Sequence, residues 1–121
     1  MINIKAVFFG GGIGSLMRYS ISKLVFSYYH GSFPLGTFIS NIISCIILVL
    51  VILYTKKMID NDLMKLFLIT GLCGGFSTFS TFSLETFSLL KTGNYTIAFA
   101  NIVLSLIVGI GLIFVLLKNH A

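Results

Sequence analysis

Between Thr70 and Ser83 the chain reads Thr-Gly-Leu-Cys-Gly-Gly-Phe-Ser-Thr-Phe-Ser-Thr-Phe-Ser, a run of small and hydroxyl residues inside an apolar stretch. Adjacent glycines followed by hydroxyl residues hold a regular helix poorly, and freed carbonyls at bilayer depth are tolerated only inside protein or beside a polar cavity. Broken helices of transport proteins use such carbonyls to hold cations. The pattern predicts an interruption near Gly74 to Thr78; the alternative is a regular helix packed on its glycine face. Phe76, Phe79 and Phe82 recur every three residues, and on a continuous helix each step of about 300° keeps the rings on one broad face. Apolar packing is the ordinary use of such a stripe. Here Ser77, Thr78, Ser80 and Thr81 interleave it, setting hydroxyl donors beside ring edges that carry the positive end of the aromatic quadrupole. A small hard anion can shed water against such edges and hydroxyls without meeting a full positive charge that would trap it, and conduction needs binding weak enough to release.

Asn41 is the second polar signal, set among Ile39, Ile42 and Ile43 with Thr37, Ser40 and Ser44 nearby. Its amide offers two N–H donors; an interhelical hydrogen bond is the competing use. Asn101 and Ser105, four apart, extend a polar track on one helix face. Arg18 and Glu85 are the charges nearest apolar surroundings, where a central charge costs roughly 2.5–3.5 kcal/mol on insertion scales. Arg18 snorkels to the interface or forms a fixed positive site at a vestibule, and Glu85 lies about one turn beyond Phe82. Catalytic patterns are missing: there is no HExxH, no GxSxG and no His/Cys metal cluster, and the glycines at 10, 11, 12 and 14 are followed by Met17 where a dinucleotide loop needs glycine. His30 and His120 fall in a loop and a tail. Cys45 and Cys73 lie mid-span without CxxC spacing and read as small core residues. The chain is not expected to be an enzyme.

These residues are carried by a chain of 121 residues, 57% apolar and 9% charged, with mean hydropathy +1.07. Soluble domains charge about a quarter of their positions, so the bilayer is the solvent. The net charge of +5 comes from Lys residues flanking apolar runs, not from one basic face, and nucleic-acid binding is excluded. A hydrocarbon core about 30 Å thick takes roughly 20 helical residues. Four runs qualify: Ala6–Val25, Leu35–Tyr54 directly after Pro34, Leu66–Leu84 and Tyr95–Leu117. Short polar connections join them at His30–Pro34, Lys56–Asp62 and Lys91–Asn94, and the whole of 1–121 reads as one transmembrane domain. No cleavable signal peptide is expected. With the N-terminus inside, Lys5, Lys56, Lys57, Lys65 and Lys118 share one side against Lys23 and Lys91, with Arg18 either on that second side or within the span, a mild bias compatible with insertion in both orientations. Four short helices enclose a polar path poorly, so an oligomer is expected. Gly10/Gly14, Gly71/Gly75 and Ser40/Ser44, each at i, i+4, allow close helix approach, as they also would in a plain bundle.

The strings GGGIGSLMRY, PLGTFISN and GLCGGFSTFSTFSLE, in this order, resemble the Fluc (CrcB-type) fluoride channels. The resemblance implies an all-α membrane protein of four transmembrane helices, the third broken near its centre, paired as an antiparallel dual-topology dimer in the bacterial cytoplasmic membrane. The dimer would have two fluoride pores and a structural sodium ion at its centre. It further implies that Phe79, Phe82 and Asn41 face the pore, that Ser80 and Thr81 form its hydroxyl track and that Ser105 belongs to it. By the same resemblance the backbone carbonyls of Gly74 and Ser77 would hold the sodium, and Arg18 and Glu85 match the helix-one arginine and the acidic residue after the STFS segment. The partner it implies is a second inverted copy or a paralogous subunit. Three departures from the family pattern stand out: Ser77 replaces a threonine, Ser44 replaces a glycine, and Asn101 stands where some relatives carry an aromatic residue. A proton-coupled small multidrug transporter has the same architecture but needs a carboxylate in helix one, and residues 1–59 contain no Asp or Glu. The remaining alternative is a membrane scaffold without transport activity.

Overall fold

The computed structural model describes residues 1–55 and 62–118; the polar connection over 56–61, with Lys56 and Lys57, and the tail carrying His120 lie outside the described residues. Among the described residues the only regular structure is helical. Helix α1 spans Ile2–Tyr28, α2 Leu35–Thr55, α3 62–76, α4 Phe79–Lys91 and α5 Tyr95–Leu117. At 1.5 Å per residue, α1, α2 and α5 are roughly 40, 32 and 35 Å long, each sufficient to cross a hydrocarbon core. By composition α2, α5 and the helical stretch Asp62–Lys91 are apolar enough for a membrane span. α1 is not among these three. It carries Lys5, Arg18 and Lys23 and is longer than the Ala6–Val25 expected. The third span also exceeds the expected Leu66–Leu84, running over Asp62–Lys91 with α3 and α4 in series.

Local chemistry explains the helix ends. α1 stops at Tyr28, where Tyr29 turns extended at φ −130°, ψ 124°. Pro34 precedes α2 and its carbonyl receives the Phe38 N–H at 3.1 Å. α4 closes at Lys91 through Gly93, the only glycine with positive φ among the described residues, at 85°. Glycine alone takes that left-handed conformation without a Cβ penalty, and the Asn94 N–H then folds back to the Leu89 carbonyl at 2.8 Å. The chain reverses there, and α5 packs against both α4 and α2.

α3 begins with one α turn, Asp62–Lys65, widens into a π-helical stretch, Leu66–Cys73, and ends in a last turn, Gly74–Phe76. This helix lies along α1, at backbone contact. A Cβ on Gly10 would collide with the Phe67 carbonyl oxygen, one on Gly14 with that of Leu72, and one on Gly75 with that of Gly11. A Cβ on Gly71 would come within 2.9 Å of Gly10 Cα. The small-residue spacing therefore serves close approach between these two helices, where dispersion acts without a hydrophobic driving force.

The interior is small and unusually polar. Phe76, Val49 and Ala98 are fully buried, and so are Ser40 and Asn101, with Thr37, Ser44 and Thr86 nearly so. Outward lie Phe8, Phe26, Ile107, Ile110 and Phe114, all more than half exposed. That inversion of soluble-protein order is expected when the surrounding solvent is hydrocarbon and polar groups must find partners inside.

Candidate functional site

The site is built on the point where α3 stops. Ser77 (φ −88°, ψ 155°) and Thr78 (φ −150°, ψ 117°) are both extended, and α4 starts at Phe79. In a continuing helix the Thr78 N–H would close on the Gly74 carbonyl and the Thr81 N–H on that of Ser77. Both donors go to side chains. The Thr78 N–H donates to Asn41 Oδ1 at 3.0 Å, and the Thr81 N–H donates to Thr78 Oγ1 at 3.2 Å. Thr78 is thus the N-cap of α4, a position that favours a hydroxyl acceptor. The Gly74 and Ser77 carbonyls lose their helical donors as a direct result.

Neighbouring carbonyls are supplied. Cys73 O accepts the Ser77 N–H at 3.1 Å and the Ser77 and Ser44 hydroxyls at 3.0 Å each. Arg18 on α1 donates its Nε–H to Gly75 O at 3.3 Å, which brings a guanidinium to the end of α3.

Asn41 meets the interruption from α2 with its carbonyl end, so both N–H donors of the amide are uncommitted by that contact. Asn41 lines a cleft of about 260 Å³ together with Thr78, Phe79, Phe82 and Ser105. The two rings lie 6.1 Å apart, tilted by 39°. The expected three-ring stripe is corrected here: the two extended residues separate Phe76, 0% exposed in α3, from Phe79, 81% exposed at the head of α4. Only Phe79 and Phe82 share the cleft. Ser80 and Thr81 are absent from the lining of this single chain; the Thr78 hydroxyl ties them together, 3.1 Å from Ser80 Oγ and 3.3 Å from Thr81 Oγ1. Glu85 lies apart, lining a larger cleft of about 580 Å³ with Ser22, Thr37, Ser88 and Asn94. Its Oε1 is buried with no hydrogen-bond partner.

Thr86 is not singled out by the sequence, and its link to Asn101, 15 residues away, has no local pattern. Thr78 and Ser44 are read from the sequence only as a hydroxyl beside the rings and a small residue near Asn41; that Thr78 caps α4 and that Ser44 bonds the Cys73 carbonyl, 29 residues away, comes from the structure.

Among the described residues no three His, Cys, Asp or Glu side chains gather closely enough to hold a metal. A cation at the interruption would therefore be held by main-chain oxygens. The residues fit such a group: the Gly74 and Ser77 carbonyls lack their helical donors, and Gly74 is exposed with no side chain to cover it. Hard monovalent cations accept neutral oxygen ligands of this kind.

A family model described as "CrcB-like protein, Camphor Resistance (CrcB)" matches residues 5–117. The chain is 41% identical over 110 residues to the fluoride-specific ion channel FluC of Phocaeicola vulgatus, covering 91% of each chain. It is 47% identical over 107 residues to the protein of that name from Pyrococcus abyssi, covering 87% of this chain and 85% of the relative. With that of Flavobacterium psychrophilum it shares 40% over 111 residues, 88% of this chain and 90% of the relative.

Proposed function

We propose, from the premise that this chain belongs to the CrcB family, that it is a fluoride-specific ion channel, a multi-pass protein of the cell membrane that lets fluoride leave the cytoplasm down its electrochemical gradient. It is a channel and not an enzyme. The observation that carries the reading is the cleft at the α3–α4 interruption, which Asn41 lines together with Phe79 and Phe82. Fluoride is the smallest halide and the most costly to dehydrate, so its path must offer many short donor contacts in sequence. Amide N–H groups and ring edges supply these without a trapping charge. Purified protein in liposomes is expected to release fluoride, read by a fluoride electrode, and to hold back chloride. Comparable chloride efflux would sink the assignment.

The channel is completed by a second copy in inverted orientation. Thr70 and Gly74, one turn apart on α3, are exposed together with Ser80 and the 81%-exposed ring of Phe79. A lipid-facing surface has no use for hydroxyls and bare backbone at that depth, whereas a protein partner does. The carbonyls of Gly74 and Ser77 from both copies would hold one sodium ion between them, and its charge would offset the desolvation of those oxygens. In purified protein, replacing sodium by N-methylglucamine is expected to shift the dimer toward monomer on size exclusion, and a C-terminal tag should be reachable from both faces of the membrane. An unchanged elution volume would remove the sodium role. A tag reachable from one face only would remove the inversion.

A further inference from the structure

The polar residues of α5 form a directional chain that the cleft itself does not explain. Asn101 is 1% exposed, and its Nδ2–H donates to Thr86 Oγ1 at 3.0 Å. A threonine hydroxyl has one proton, and Thr86 donates it to the Phe82 carbonyl at 2.8 Å. At the other end of the amide, Ser105 donates its hydroxyl proton to Asn101 Oδ1 at 3.3 Å. Phe82 and Ser105 both line the cleft, from α4 and α5 respectively. One buried amide thus connects two walls of the candidate pathway, and each link fixes the direction of the next.

We infer that Asn101, acting through Thr86, is a positioning residue for anion passage: it fixes where the first turn of α4 holds Phe82 and which way Ser105 presents its hydroxyl. The inference rests on the channel reading above. At rest the Ser105 proton is directed to Asn101 Oδ1, so Ser105 turns lone pairs, not a donor, to an anion in the cleft. At 3.3 Å this bond is longer than the usual O–H···O range, so an arriving anion can turn the hydroxyl, its proton still on Ser105 Oγ, to donate to the anion instead. Asn101 Oδ1 is then the acceptor to which that O–H returns between passages. A polar side chain buried in an apolar helix needs partners whatever its role, so helix adhesion alone is the competing explanation, and it predicts changed stability with unchanged ion preference.

The test uses the full-length protein reconstituted in liposomes, with fluoride and chloride efflux measured side by side and thermal unfolding in detergent as the control. Thr86→Val keeps the shape and removes the hydroxyl; Thr86→Ser keeps the hydroxyl. Thr86→Val is expected to lower fluoride efflux about ten-fold, the scale of one lost buried hydrogen bond, and to lower the fluoride-to-chloride ratio with it. Thr86→Ser should stay within about two-fold of the unmodified protein, since its link to Phe82 survives. Asn101→Leu should match Thr86→Val, and the double variant should be no worse than either, because both cut one chain. Should Asn101→Leu not assemble, the Thr86 pair decides alone. Unchanged efflux and ratio in Thr86→Val, an equal loss in Thr86→Ser, or multiplied losses in the double variant would overturn the inference while leaving the channel reading standing. If the unmodified protein releases no fluoride, the channel reading falls and takes this one with it.

Discussion

Asn41→Asp is expected to fold, to dimerise and to lose fluoride efflux by about three orders of magnitude. The substitution is nearly isosteric and retains an oxygen where Asn41 Oδ1 accepts the Thr78 N–H at 3.0 Å, so the interruption of α3 and the N-cap of α4 survive. What disappears is the pair of N–H donors, and what arrives is a negative charge in the wall of an anion path. Two like charges about 4 Å apart repel by roughly 4 kcal/mol at an effective dielectric constant near 20, and each 1.4 kcal/mol is worth about a factor of ten. Asn41→Leu is a poorer probe. It strands the Thr78 N–H as well, and the chain would then have reason to close a helical bond to Gly74. The measurement is fluoride-electrode efflux from liposomes carrying protein first shown to be dimeric by size exclusion; unimpaired efflux from such a sample would falsify the role given to Asn41.

Phe82→Ile isolates the ring from the backbone in the same way. The Thr86 hydroxyl bonds the Phe82 carbonyl, a main-chain group that any residue supplies, so the link to Asn101 persists. Isoleucine fills space but has no quadrupole and no positively polarised edge, and the contact with Phe79 at 6.1 Å loses its aromatic partner. Aromatic geometry is worth about 0.5–1.5 kcal/mol per contact beyond burial, which sets the expected loss at up to about ten-fold in fluoride efflux. Chloride efflux is measured alongside, to show whether losing the ring also relaxes the preference for fluoride. Single-channel recording or liposome efflux checks both points. Fluoride conduction equal to that of the unmodified protein would mean that the ring serves only as packing.

Much of the architecture was legible because the bilayer imposes lengths and polarity on any chain that crosses it. Leu35–Tyr54 and Tyr95–Leu117 were read from charge-free length alone and recur as helices with the same limits or one residue more. Gly10, Gly14, Gly71 and Gly75 announced a close helix contact by spacing, since only residues without side chains let backbones touch at i, i+4. The third span was less faithfully read. A period of three predicts neighbouring rings only while the helix continues, and two extended residues were enough to send Phe76 into the core and Phe79 to the surface.

The sequence by itself determined that this chain is made of apolar helices suited to a membrane and the limits of two of them, and it marked the Gly-Ser-Thr segment of the third span as the place where an interruption and a regular helix compete. It could say these things because they depend on composition and on neighbours within a turn. Only the tertiary structure decided which carbonyls lose their donors, because the competing acceptor for the Thr78 N–H is Asn41, 37 residues earlier on another helix. The same holds for Asn101, whose significance depends on Thr86 standing opposite it, and for Glu85, which follows the site in sequence yet opens into a different cleft. A donor between two possible acceptors goes to the one the packing brings within 3 Å, and no local pattern encodes that distance.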